Sequence, residues 1–473
     1  MAETGKSFIK KFVGFSVATW VSFGIVFLTA PISTRLFAPE VLGKINIFNT
    51  YTNLFGILIM IGLDQAFARF YLERPNNKSI GYLFSFCFGI TYALLVVTIV
   101  ISLPFRSLLS WELFEERDNL LLYLFFFSVF CSATLRYLNL SYRMEKKVKR
   151  YTIQSILMTI VSKVLYLGVG FWDPSYKPAL IVLTLSHFAL ALIFLFIQRS
   201  RFEWIRYYDS YFSKEMFKYS IPLIPVSVMM WANQSIPQIM IQKTMDFHSI
   251  GIFTSAVALA SVINIIQTGF ITFWLPYTYE NYKEQTGQFD KVHRYLICVL
   301  TLMALLLILS QDVVFLLLGE KYRAAKSFFP FLILGPVCYI IGETTGLGID
   351  LSKKTYLNII VFGSSIVANI VFCLILRIPF GLPGIAMANA LAGITAMRIK
   401  TYYGQKYYHA VDSYRYLYSC ICFIAVSAFI TLYTGSMTLK LVLLGLVFML
   451  SLIFYRKEEK ELIAYAISFV KKG

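Results

Sequence analysis

Lys163 stands one residue from the middle of an apolar stretch running from 152 to 172. In a bilayer with a hydrocarbon core ~30 Å thick, about 15 Å of helix separates it from either face. Its side chain reaches roughly 6 Å, so snorkelling does not carry the ammonium to water. A lysine kept at that depth needs a polar cavity or a buried partner, because an unpaired charge in hydrocarbon costs several kcal/mol. Arg136 lies about 9 Å from the end of its own stretch, within the range where snorkelling also accounts for it. Arg35 and Arg69 close theirs, where a base also serves as an interfacial anchor.

The acids point elsewhere. Asp64 and Arg69 are five residues apart, some 140° around a helix, so they do not simply neutralise one another. His187 stands in mid-stretch, either as a core histidine bonded to a neighbouring helix or as a cavity residue. Glu343 and Asp350, seven apart, share one helix face, with Thr344, Thr345 and glycines 342, 346 and 348 around them. Carboxylates with hydroxyls and open backbone carbonyls suit a proton or a hard cation such as Na⁺. Asp350 also reads as a membrane-edge residue, and Arg398 and Lys400 read as anchors closing their stretch.

The elements that hold these residues are apolar helices. The chain is 58% hydrophobic and 14% charged, with a mean hydropathy of +0.68, far from a soluble domain, whose charged share is about a quarter. Fourteen stretches match the ~20 residues a helix needs to cross a bilayer: roughly 12–34, 45–68, 81–103, 119–141, 152–172, 179–198, 218–240, 250–274, 293–318, 328–350, 356–376, 382–403, 415–433 and 438–455. The predicted fold is therefore an all-α polytopic membrane protein. With both termini in the cytoplasm, about 30 of the 43 Lys and Arg fall on the cytoplasmic side and about 11 outside. That asymmetry accounts for the net charge of +18 through topology and anionic lipid, without nucleic acid.

One pattern occurs twice, 208 residues apart. Arg35 precedes Gly43 as Lys243 precedes Gly251, and Glu112 falls on Glu320. Two related six-helix lobes are predicted, at 1–198 and 218–404, joined by a cytoplasmic linker at 199–217 and followed by two helices and a tail at 405–473. Paired repeats of this kind underlie alternating access in transporters. The buried charges are not repeated: at the same offset Arg136 meets Thr344, Lys163 meets Val371 and Glu343 meets Leu135. Pro31 is expected to end the first span, and Pro222, Pro225 and Pro237 to punctuate its partner.

Several chemistries lack their residues. The chain has no G-x-x-x-x-G-K-[ST] loop, no H-E-x-x-H and no G-x-S-x-G elbow. The four histidines lie far apart, and the seven cysteines fall in apolar stretches as small core residues, so neither a metal nor a cofactor is expected. Glu116-Arg117-Asp118 has the form of a metal-holding E-x-D, but its short, charge-crowded loop reads as a solvated helix entry. The first span has no cleavage site and reads as an uncleaved signal anchor.

The stretch APISTRLFAPEVLGKINIFNTYTNLFGILIMIGLDQAFARFY (30–71) resembles the polysaccharide-transporter family, the Wzx-type flippases of lipid-linked oligosaccharides. The resemblance rests on Pro31, Arg35, the P-E-x-x-G of Pro39 to Gly43, G-L-D-x-A-x-x-R from Gly62 to Arg69, and LLLGEKYRAAKSFFPFLILG (316–335). It implies the multidrug/oligosaccharidyl-lipid/polysaccharide exporter superfamily: two six-helix lobes in a V around a central cavity. It further implies an undecaprenyl-diphosphate-linked glycan as substrate, met in a basic cavity by Arg35, Arg69, Arg136 and Lys163. Asp64, His187, Glu343 and Asp350 remain as coupling or cavity residues, with H⁺ or Na⁺ as coupling ion. The setting is the bacterial inner membrane, with a monomer working beside a polysaccharide polymerase or chain-length regulator. The competing readings are a drug antiporter, which favours an acidic first lobe, a polymerase or ligase, which needs a sizeable outer loop, and a non-transporting scaffold, which gives no reason to keep Lys163.

Overall fold

The structure is a computed structural model that describes residues 5–73, 79–203, 209–282 and 286–470. Residues 204–208, within the expected linker, lie outside the described residues. Among those described, every regular element is a helix. Contacts group the chain into two compact units, residues 1–235 and 236–473, dividing inside one helix.

The first unit contains α1 (Gly5–Leu36), α2 (Pro39–Met60), α3 (Leu63–Glu73), α4 (Ile80–Ser102), α5 (Arg106–Phe114), α6 (Asn119–Met144), α7 (Val148–Lys163), α8 (Tyr176–Ile197) and α9 (Ser210–Ser220). The dividing helix is α10 (Leu223–Thr244). The second unit follows with α11 (Phe247–Ala260), α12 (Ile263–Asn281), α13 (Thr286–Leu309), α14 (Gln311–Leu316), α15 (Phe329–Thr345), α16 (Leu347–Leu351), α17 (Leu357–Phe380) and α18 (Leu382–Tyr407). Its last helices are α19 (Arg415–Tyr433), α20 (Met437–Phe454) and α21 (Arg456–Val470).

Nine helices among the described residues are long and apolar enough to cross a bilayer, or up to twelve if each of three bent pairs is one span. The expected fourteen are not reached on that measure. The first and seventh expected stretches do form helices, α1 and α10, but neither belongs to that set.

The bent pairs show how the repeat is built. The pair α2–α3 runs from 39 to 73 and α11–α12 from 247 to 281, so both ends keep the 208-residue offset. Their bends are 47° and 48°. The break itself is not conserved in position: it falls at Ile61–Gly62 in one and Ser261–Val262 in the other, eight residues short of the repeat. Local chemistry sets the first break. Ile61 is left-handed at φ 41, and Gly62 follows at φ 75. A Cβ on Gly62 would also lie 2.5 Å from the Ser220 carbonyl oxygen of α9, so this turn requires glycine.

Pro31 does not end α1, which continues through it to Leu36. Nearby hydroxyls bond carbonyls around the proline: Thr29 Oγ1 donates to Val26 O at 3.1 Å, and Thr34 Oγ1 to Ala30 O at 2.8 Å. The counterpart of α1 is interrupted instead, between α9 and α10 at Ile221–Pro222. Likewise α6 is continuous whereas α15–α16 is interrupted at Gly346. In the opposite sense, α7 stops at Lys163 and passes into a 3₁₀ segment, Leu165–Phe171, where α17 runs on without a break.

The last helices belong to the second unit's packing. α19 and α20 lie against α13, and α19 also against α15. Asp312 of α14 accepts from Lys326 and forms an ion pair with Lys440 of α20, each at 2.5 Å, which ties α20 to α14.

Candidate functional site

Lys163 stands where α7 ends, so its backbone leaves the regular helix at the level where its ammonium must find a polar setting. That setting is a groove of about 490 Å³ within the first unit. One wall is α1, with Thr19, Ser22, Phe23 and Val26; another is the α7 stripe of Tyr151, Ser155, Met158, Thr159, Ser162 and Lys163, and Asn139 of α6 completes it. The α7 positions recur every third or fourth residue, which places them on one helix face about 18 Å long.

The walls are joined by neutral hydrogen bonds. The hydroxyls of Ser22 and Thr159 meet across α1 and α7 at 2.8 Å. Asn139 Nδ2 donates to Ser155 Oγ at 3.1 Å. Lys163 is the one ionisable base among the lining residues, and no described acid pairs with it. Lys163 therefore faces this groove, whose lining surface is mostly apolar, rather than an acid among the described residues.

His187 backs this groove without lining it. It is buried, with Nδ1 2.8 Å from the Leu183 carbonyl and Nε2 3.0 Å from the hydroxyl of Ser162. This is the core histidine bonded to a neighbouring helix.

The other three bases are not gathered there. Arg136 lies one turn from Asn139 on α6, and its guanidinium is taken by Asp64, with Nε at 2.9 Å and Nη2 at 2.5 Å from Oδ2. Asp64 is buried in the first turn of α3, where the helix dipole favours a carboxylate, while Arg136 is half exposed. Arg69 is exposed, pairs with Glu73 at 2.8 Å and lies over the Tyr219 ring. Arg35 is exposed at the end of α1. Neither Arg35 nor Arg69 lines the groove.

In the second unit Glu343 has a partner the sequence did not suggest. Lys400 Nζ donates to Glu343 Oε1 at 2.7 Å, and both side chains are largely buried. Lys400, expected as a membrane anchor, therefore turns inward. Arg398 is the exposed one, over the Tyr418 ring. Asp350 is partly buried in α16, beyond the interruption at Gly346, so a helix break separates it from Glu343.

The Glu116–Asp118 loop is tied by lysines. Glu116 accepts from Lys44 at 2.6 Å and from the Tyr176 hydroxyl, and Asp118 accepts from Lys177 at 2.6 Å. Burial pushes the Glu116 carboxyl up, but the hydrogen bonds from Lys44 and Tyr176 outweigh it and hold the group below its ordinary value. The Lys177 hydrogen bond holds Asp118 below its own. Among the described residues no group of three or more His, Cys, Asp or Glu is arranged to hold a metal.

The hydroxyl and amide lining was not singled out from the sequence. Its signal was present in the i, i+4, i+8 and i+12 spacing of Tyr151, Ser155, Thr159 and Lys163.

The chain is 22% identical over 382 residues to a protein of the Lsg locus of Haemophilus influenzae, a match covering 75% of this chain and 89% of that one. Among solved structures it shares its fold with the lipid II flippase MurJ in an inward closed conformation. That likeness has a TM-score of 0.71 at 16% identity and covers 94% of this chain and 99% of the other. A MATE transporter in a bent conformation matches with a TM-score of 0.55 at 16% identity, over 84% and 94% of the two chains. Residues 32–327, well over half the chain, match the model of one sequence family, and on that match this multi-pass membrane protein belongs to the polysaccharide biosynthesis protein family.

Proposed function

We propose that the protein flips undecaprenyl-diphosphate-linked oligosaccharide units from the cytoplasmic to the outer leaflet of a bacterial inner membrane. The units would feed assembly of O-antigen, capsule or exopolysaccharide, and transport proceeds by alternating access. The reading is supported by membership of a polysaccharide biosynthesis family and by a fold shared with a protein described as a lipid II flippase. The observation that carries it is Lys163: an ammonium with no acid partner among the described residues, in a groove whose largely apolar walls carry hydroxyls and an amide.

A hydroxyl-rich headgroup with an anionic group matches that lining. The serine, threonine, tyrosine and asparagine side chains exchange hydrogen bonds with sugar hydroxyls. The ammonium donates to a phosphate or carboxylate oxygen, while the prenyl chain stays in lipid. Arg136, next to Asn139, offers a second cation once its hold on Asp64 is loosened. The termini lie in the cytoplasm, and a polymerase or chain-length regulator receives the product on the far side. An organic-cation antiporter fits poorly, because the groove's charged group is itself a cation.

The test is a gene deletion complemented with Lys163→Ala. A charge-assisted hydrogen bond worth about 1.5–3 kcal/mol predicts a loss of transport of roughly 10- to 100-fold at normal membrane expression. Lipid-linked glycan should accumulate on the cytoplasmic face. Normal surface glycan in this variant sinks the assignment of the groove.

A further inference from the structure

The interruption of α15–α16 at Gly346 brings together groups that elsewhere in membrane proteins hold a metal cation: a broken helix, a largely buried carboxylate and hydroxyls. Glu343 and Thr345 stand just before the break, and Thr401 of α18 hydrogen-bonds Thr345 at 2.7 Å. Here, however, the chain already engages one carboxylate oxygen and both carbonyls. The Glu343 carboxylate is held by Lys400 at 2.7 Å, its carbonyl accepts from Trp274 Nε1 at 3.2 Å, and the Thr345 carbonyl accepts from Gln405 at 2.8 Å.

Lys400 also has a fitted path. A Cβ on Gly346 would lie 2.7 Å from both Cγ and Cε of Lys400, and one on Gly342 would lie 3.4 Å from its Cδ. The two glycines leave the channel through which the aliphatic stem passes, and the ring of Tyr339 lies 5.6 Å from the ammonium. At the 208-residue offset both partners become leucines, Leu135 and Leu192, so acid and base are present together or absent together.

We propose that Lys400 is a tethered cation: its ammonium occupies, from within the chain, the position that a bound monovalent metal ion would take at Glu343, and the second unit therefore works without taking up Na⁺. The expectation that Glu343 recruits a hard cation is thereby replaced by an internal one. Removing the ammonium leaves a buried carboxylate beside the space vacated by the stem, and a small monovalent cation restores neutrality there.

The experiment uses the purified full-length protein in detergent, with thermal unfolding followed in NaCl against choline chloride at equal ionic strength, together with radioactive Na⁺ binding. The wild type is expected to show no saturable Na⁺ response. Lys400→Ala should gain one, as bound Na⁺ and as a rise of several degrees in Tm, and Glu343→Gln added to Lys400→Ala should abolish it. A Lys400→Ala protein that folds only in Na⁺ supports the proposal equally. Saturable Na⁺ binding by the wild type that Glu343→Gln removes overturns it. So does a Lys400→Ala protein indifferent to Na⁺, folded or aggregated.

Discussion

Two residues of like charge, Lys163 and Arg136, have opposite settings in the first unit. Lys163 has space and neutral hydroxyls around it, whereas Arg136 has a carboxylate. Depth separated the two, by ruling out snorkelling for Lys163 alone, but their partners were out of its reach. Asp64 was legible as a residue not paired with Arg69, because five residues place them on different helix faces. Its real partner, 72 residues away, needed the packing of α3 against α6. Arg136→Ala strands the buried Asp64 and should lower thermal stability, by less than the about 3–5 kcal/mol typical of a fully buried pair, since Arg136 is half exposed. Asp64→Asn combined with Arg136→Ala should recover most of that loss. A double variant as unstable as the sum of the singles in detergent melting curves would deny the coupling.

At the level of elements, the equivalent helices α6 and α15 each carry one member of an ion pair. On α6 the base Arg136 receives an acid from α3; on α15 the acid Glu343, one residue from the repeat position, receives a base from α18. The signs are reversed, and so are the breaks: α7 is interrupted where α17 is not, and α15–α16 where α6 is not. Charge and broken helix thus occur together in both units. The sequence showed the helices and the repeat because apolar length and spacing are local properties. It misplaced the effect of Pro31, since whether a proline ends or merely interrupts the bonding of a long apolar helix is not written in a hydropathy profile. It left the groove's hydroxyl lining unread although the spacing along α7 carried a signal, because the facing wall on α1 is set only by packing.

The loop entering α6 illustrates a pH consequence. Glu116 and Asp118, with ordinary values of 4.5 and 3.8, are both held lower in the folded protein by their lysine and tyrosine partners. A depressed carboxyl stabilises the fold fully above its unfolded value and loses that contribution as pH falls through the folded one. Melting temperature should therefore be flat near neutrality and drop from about pH 4.5 downwards, and Glu116→Gln should flatten part of that drop. An acid limb identical in wild type and variant would show the loop bonds to be idle.

For the whole molecule, the offset of 208 residues is kept at the outer ends of the bent pairs while the interior breaks and charges have diverged. On the proposals made above, a duplicated scaffold has become two specialised units, one with a groove for an anionic, hydroxyl-rich headgroup and one with its cation built in. The most direct test of that division is leaflet transfer in liposomes containing the purified protein and an undecaprenyl-diphosphate-linked oligosaccharide. Glycan initially protected in the inner leaflet is followed by its exposure to an external lectin. The wild type should expose it in the absence of Na⁺, and Lys163→Ala should expose it at least tenfold more slowly. Exposure at the rate of protein-free liposomes, or an equal rate in the two proteins, would contradict it.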